Sequence, residues 1–338
     1  MKNKNILIIG GTGSLGQALI QRLTPHNAVT IVSRDELKQW TIRNELPPES
    51  PVSFSVCDMR DRQRLEEVVL TTEPHIIIIA AALKQVDTCE RAPSESIKTN
   101  ILGVQNLVEV VERNMHRLGT LESVVMVSTD KACEPTNVYG MSKAIAERVV
   151  TSRGTLHERP HFVAVRYGNV LDSRGSIIPL FRYQAERAPA FTLTHEDMTR
   201  FVMTLDQSID LILDAAEHAR SGETWLPKLQ AMRVKDLGEI FSRRYNKPVK
   251  LIGIRPGEKV HEMLISRTES FRLTERNGYY VLFSPLHPVP ADAEMMEYES
   301  SRDLLSQPEL EAYLDGLGLI GTGVDRFVGI KADELRKN

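Results

Sequence analysis

The segment that most constrains this chain lies near its start, where the apolar run Ile6–Ile9 passes into Gly10-Gly11-Thr12-Gly13-Ser14-Leu15-Gly16 and then into a helical pattern. A strand that turns into a helix over glycines brings backbone N–H groups and a positive helix end to one point without side chains in the way. That arrangement holds a pyrophosphate, and it needs a parallel sheet around it. The following sequence supplies the sheet. Short β-branched runs at Asn5–Ile9, Ala28–Val32, Val52–Val56, His75–Ala80, Ser123–Ser128 and His161–Arg166 alternate with helix-length segments at Ser14–Leu23, Asp61–Thr71, Pro93–Asn114 and Val138–Arg153. Alternation of this kind predicts an α/β fold: a Rossmann-type, doubly wound parallel sheet with helices on both faces.

After Arg166 the pattern becomes irregular, with Gly, Pro and Arg scattered through Tyr167–Pro189 and Gly253–Lys259. Residues 1–166 therefore read as the dinucleotide-binding domain. Residues 167–338 read as a smaller substrate lobe that can also return strands or helices to the first domain. The two long helical segments, Pro93–Asn114 and Val138–Arg153, are candidates for a homo-oligomer interface.

Composition excludes several classes. With 42 Lys+Arg against 45 Asp+Glu, the net charge of −3 offers no broad attraction to nucleic acid or an anionic membrane. Any anion must be held by a few placed groups. The longest apolar run, His75–Leu83, is far short of the roughly 20 residues of a membrane span. Only Ile6–Ile9 follows the basic start, too little for a signal peptide. Cys57, Cys89 and Cys133 are odd in number and widely spaced, which fits a reducing, cytoplasmic setting and indicates no metal site.

The end of the second strand selects the nicotinamide. It reads Val32-Ser33-Arg34-Asp35-Glu36-Leu37-Lys38, with Ser33 and Arg34 ahead of the first acid and Lys38 one turn beyond. An Arg at this place accommodates a 2′-phosphate, so NADP is favoured over NAD. The alternative makes Arg34 a solvated charge and Asp35 the ribose ligand. Asp58, after the third strand, suits the adenine amine or a turn cap, and the charged stretch Asp58–Glu67 is mainly a solvated helix face.

Tyr139 and Lys143 stand four apart and so share a helix face. A lysine there is expected to lower the phenol's pKa, giving a base that takes a hydroxyl proton while hydride leaves for the nicotinamide. Just before them runs Ser128-Thr129-Asp130-Lys131-Ala132.

These motifs, together with Lys98-Thr99-Asn100-Ile101-Leu102-Gly103, Arg166-Tyr167-Gly168-Asn169-Val170, Ser173-Arg174-Gly175-Ser176, Met198-Thr199-Arg200-Phe201 and Ile252-Gly253-Ile254-Arg255-Pro256-Gly257-Glu258-Lys259, resemble the extended short-chain dehydrogenases/reductases. Within them they resemble the soluble UDP-N-acetylglucosamine 4,6-dehydratases of polysaccharide and pseudaminic-acid-type biosynthesis. The resemblance runs through about residue 315. It departs at Ile9, where Thr usually precedes the glycines, and at Glu134, where a small or amide residue is common.

The resemblance implies that C4 of the sugar is oxidised, water is eliminated across C5 and C6, and hydride returns to C6. Tyr139, supported by Lys143 and Thr129, is then the base for C4 oxidation. Asp130 is implied as the acid at the C6 hydroxyl and Lys131 as the base at C5, which calls for a raised Asp130 and a lowered Lys131 pKa. Asp-Lys in place of Asp-Glu favours C5 inversion, with retention as an alternative.

The implied cofactor contacts are Gly10, Gly13, Ser14, Leu15, Gly16, Ser33, Arg34, Lys38, Asp58, Met59, Ala80, Ala81, Ala82, Lys84 and Asn100, with Tyr139 and Lys143. The UDP-sugar is implied to meet Lys84, Asn169, Arg174, Arg200, Arg255 and Glu258. His261-Glu262-Met263-Leu264-Ile265 lacks the second histidine of a zinc-protease motif and reads as helix interior, and Ile209, Leu211, Ile212 and Ala215 read as core. Two rivals remain: a sugar-nucleotide 4-epimerase, which needs no acid for C6, and a catalytically silent NADP-binding regulator.

Overall fold

The structure is a computed structural model that describes residues 1–173, 175–291, 293 and 295–320. Six parallel strands open it: β1 (Asn5–Ile9), β2 (Ala28–Ser33), β3 (Val52–Val56), β4 (Ile76–Ile79), β5 (Ser123–Val127) and β6 (His161–Val165). They lie in the order β3-β2-β1-β4-β5-β6, every neighbouring pair parallel. The order reverses between β1 and β4, which opens a crevice at the carboxyl ends of those strands. The sheet continues past β6 with Glu223–Leu226, parallel to it, and then with Tyr279–Phe283 and Leu273–Arg276, both antiparallel. The later part of the chain thus completes the same nine-stranded sheet.

Successive β1 residues face opposite sides, and both sides are buried. Ile6 and Ile8 join one core with the helix Leu205–His218, whose stripe Ile209, Leu211, Ile212 and Ala215 is buried as expected. Leu7 and Ile9 join the other core with Val104, Leu107, Val108 and Val150. A strand buried on both faces must be apolar throughout, and Ile76–Ile79 meets that requirement with no residue more than 1% exposed.

A third core forms the lobe. There Phe181, Phe191 and Phe241 pack with ring centroids 5.3 to 5.7 Å apart. No helix among the described residues is long and apolar enough to cross a membrane.

Two local expectations change. Pro93–Asn114 is not one regular helix: a π-helical segment, Ile97–Leu102, separates Pro93–Ser96 from Gly103–Arg113. His261–Ile265 is not helix interior either. Met263–Ile265 is a strand paired antiparallel with Tyr298–Glu299, a partner too distant in sequence for local periodicity to reveal.

Candidate active site

The carboxyl ends of β1, β2, β4, β5 and β6 converge on a cleft of about 800 Å³, which Ser173, Gly175, Ser176 and the segment Arg255–Glu258 also line. Its floor is the glycine turn. Gly10 has φ +89°, and a Cβ there would stand 2.5 Å from the Ala81 backbone nitrogen. A Cβ on Gly16 would stand 2.2 Å from the Gly11 carbonyl oxygen, so a side chain at either place would force the strand-to-helix passage apart. Gly13 begins α1 (Ser14–Leu23) without a capping side chain, and Gly13, Ser14, Leu15 and Gly16 line the cleft, so the helix amino terminus faces it as an anion site.

At the end of β2, Asp35 caps the next helix, α2 (Glu36–Glu45): its Oδ1 accepts from the Lys38 N–H at 3.0 Å and its Oδ2 pairs with Lys38 Nζ at 3.2 Å. Arg34 beside it is exposed at the cleft rim. Asp58 also lines the cleft. Arg60 grips it through three hydrogen bonds of 2.6 to 3.0 Å and holds its carboxyl below the ordinary value.

Asn100 is placed differently from the other expected cofactor residues. It is buried behind the cleft, where its Oδ1 accepts from Leu83 N–H at 2.8 Å and its Nδ2 donates to the Leu83 carbonyl and the Ser142 hydroxyl. Its amide supports the loop after β4 and does not line the cavity. Ser33, Met59, Ala80, Ala81, Ala82 and Lys84 do line it.

Beyond β5 the chain makes a tight turn, Asp130–Ala132. The Thr129 hydroxyl donates to Asp130 Oδ1 at 2.9 Å, and Lys131 Nζ donates to the same oxygen at 3.0 Å. Lys131 Nζ is also 3.0 Å from Glu262 Oε1. Asp130 and Glu262 are both almost wholly buried. Burial alone would lower the lysine's pKa, but the two carboxylates outweigh it and hold Lys131 above the ordinary value. The expected lowering of Lys131 is therefore reversed, because Asp130 and, after it, Glu262 both face the amine.

Tyr139 sits at the start of the helix Val138–Thr151, capped by Asn137 Oδ1 on the Gly140 N–H at 2.8 Å. A Cβ on Gly140 would meet the Lys131 carbonyl oxygen at 2.2 Å, so glycine lets this helix rest directly on the Asp130–Ala132 turn. Burial pushes the Tyr139 phenol up to about 12, with Lys131 and the Thr129 hydroxyl drawing it down. The expected lowering by Lys143 is not present. The groups that act on the phenol are Lys131 and Thr129; Lys143 Nζ donates instead to the Val127 carbonyl at 2.5 Å, and burial takes it down to about 8 against the pull of Glu147.

From the lobe, Arg200 donates to the carbonyls of Thr199, Lys259 and Val260 at 2.7 to 3.2 Å, with Nε 3.8 Å from Glu262 Oε1. Arg255 is exposed, 3.9 Å from Glu258. Asn137 Nδ2 donates to the Gly257 carbonyl and Lys259 Nζ to the Cys133 carbonyl, both at 2.8 Å, tying this loop to the segment between β5 and the Tyr139 helix. Asn169 lines the cleft; Arg174 lies outside the described residues.

Six cleft residues carry a buried side-chain oxygen with no hydrogen-bond partner: Thr99, Ser128, Asp130, Asn169, Ser176 and Glu262. Buried polar atoms are rarely left so, and their concentration here fits a polar ligand with many donors. No local signal marks Glu262; it stands just before Met263–Ile265, a strand formed by distant pairing.

A family model for "Polysaccharide biosynthesis protein" matches residues 6–284. Among curated relatives, an uncharacterised membrane protein of Methanocaldococcus jannaschii is 39% identical over 295 residues, 83% of this chain and 86% of the other. A UDP-glucose 4-epimerase of Rickettsia typhi is 36% identical, covering 88% of this chain and 85% of its own. A UDP-N-acetylglucosamine 4,6-dehydratase (inverting) of Campylobacter jejuni is 35% identical, covering 86% and 85%. The X-ray structure of Pen from Bacillus thuringiensis superposes with a TM-score of 0.86 at 32% identity, covering 94% of this chain and 99% of that one. The chain belongs to the polysaccharide biosynthesis protein family, as a nucleotide-sugar-modifying enzyme built on the extended short-chain dehydrogenase/reductase fold.

Proposed function

We propose that the protein is an NADP-dependent UDP-N-acetylglucosamine 4,6-dehydratase that inverts C5. The observation that carries this is the Asp130–Lys131 pair, buried at the end of β5 next to Tyr139. Hydroxyl oxidation at C4 needs Tyr139 alone among these groups, whereas elimination across C5 and C6 needs an additional acid and base. A single proton transfer along the 3.0 Å hydrogen bond from Lys131 Nζ to Asp130 Oδ1 makes both at once. The neutral amine then takes the C5 proton, the carboxylic acid gives its proton to the departing C6 hydroxyl, and the original ion pair is restored.

NADP, when bound, accepts hydride from C4 and returns it to C6. The glycine turn and α1 would hold its pyrophosphate. Arg34 is left to the 2′-phosphate, since the Asp35 carboxylate is engaged by Lys38. Arg200, Arg255, Asn169 and Glu258 line the lobe side, where the UDP-sugar would lie. Half-exposed Ile97, Leu102, Met141 and Ile145, on the two helical segments expected to carry an interface, support a homo-oligomer.

The second reading is a 4-epimerase, favoured by the likeness to the Rickettsia protein. Incubation with UDP-N-acetylglucosamine in deuterated water separates the two by proton NMR. Dehydration gives a 4-keto-6-deoxy sugar with deuterium at C5, and a sugar that keeps its C6 hydroxyl with C4 inverted refutes it.

A further inference from the structure

We propose that Glu262 is a positioning residue for the elimination half of the reaction, holding the Lys131 amine in place while Asp130 exchanges protons with it. The proposal rests on the dehydratase function above. Lys131 Nζ lies 3.0 Å from Asp130 Oδ1 and 3.0 Å from Glu262 Oε1, so two carboxylates hold it from two separate elements. They do not have equal duties. In the elimination Asp130 takes a proton from Lys131 and passes it to the C6 oxygen; at that moment it ceases to be an anion and its grip on the amine weakens.

Glu262 has no proton to pass on in that step and stays beside the amine. Arg200 Nε stands 3.8 Å from Glu262 Oε1, so the carboxyl is also held from a third side chain. Glu262 itself is anchored: its backbone N–H donates to the Ser300 hydroxyl at 2.9 Å, and it heads the strand Met263–Ile265. Its other oxygen, Oε2, is buried without a partner, a costly place for a polar atom that only packed the core. An amine held by Glu262 remains aimed at C5 when Asp130 turns to C6. The ammonium formed when it takes the C5 proton stays held there, in place to deliver a proton back to C5 when hydride enters C6.

The test compares wild type, Glu262→Gln and Glu262→Asp as cofactor-loaded proteins with UDP-N-acetylglucosamine. In a single turnover, reduced-nicotinamide absorbance reports C4 oxidation, which depends on Tyr139. Product NMR in deuterated water reports elimination and C5 protonation.

For Glu262→Gln, reduced nicotinamide should appear at the wild-type rate and then persist. The kcat for dehydration should fall by about 10²-fold with little change in KM, the scale of a lost contribution to proton transfer. Glu262→Asp should recover part of it. Wild-type turnover in Glu262→Gln overturns the proposal, as does equal loss of both half-reactions with a lowered melting temperature, the mark of a merely structural carboxylate. The wild-type product is scored first. A 4-keto-6-deoxy product sustains the dehydratase function whichever way Glu262 behaves, and a C4 epimer that keeps its C6 hydroxyl overturns that function and the role of Glu262 with it.

Discussion

Two buried charge clusters stand at opposite ends of one short strand, and each places one cation between two carboxylates. Glu269, just beyond Met263–Ile265, reaches Arg166 together with Glu147; Glu262, just before it, reaches Lys131 together with Asp130. The first cluster is closed. Arg166 makes five hydrogen bonds of 2.5 to 3.2 Å, two to Glu147, two to Glu269 and one to the Leu264 carbonyl, which uses every N–H of a guanidinium. The Cys133 thiol donates to Glu269 as well. The second cluster is open: it lines the cleft, and Asp130 Oδ2 and Glu262 Oε2 lack partners. Burial and charge are common to both, so neither identifies a reacting group. Unfilled hydrogen-bonding capacity beside a cavity does.

If that distinction is sound, the two cations fail differently when removed. Lys131→Met should lower kcat for dehydration by about 10²–10⁴-fold, the usual worth of a placed acid or base, with the melting transition largely kept because water can enter beside the carboxylates. Arg166→Met should instead cost about 3–5 kcal/mol of stability, since two carboxylates are then buried without their cation. Urea titration of both variants checks the contrast. Equal stability losses would erase the difference between a closed and an open cluster.

The sequence made the open cluster partly legible and the closed one hardly at all. The glycine turn and the first six strands follow from local patterns, because a doubly buried parallel strand such as Ile76–Ile79 has little freedom of composition. Asp130, Lys131, Tyr139 and Lys143 were legible because they fall within one strand end and one helix turn. Glu262 was not. The strand that follows it exists only through pairing with Tyr298–Glu299, so local sequence does not show that a second carboxylate joins Asp130 in raising Lys131. Arg166 stands in a matched motif, yet its partners at 147 and 269 lie on two helices brought together by the fold alone.

The smallest expected effect sharpens the comparison through pH. Burial alone would raise the Glu269 carboxyl, but Arg166 outweighs it and holds the group at about 2, below its ordinary 4.5. Between those values the unfolded chain takes up a proton that the folded chain does not, so this contribution is fully present above 4.5 and is lost as pH falls toward 2. Lys131 behaves in the opposite sense: raised above its ordinary 10.5, its contribution is complete below that pH and lost only in alkali. Glu269→Gln should therefore lower stability at neutral pH and flatten the acid limb of the stability profile while leaving the alkaline limb unchanged. Thermal melts from pH 2 to 11 read both limbs. An acid limb as steep as wild type would mean that Glu269 is already protonated in the folded protein, and the Arg166 cluster would then lack the second ion pair that makes it closed.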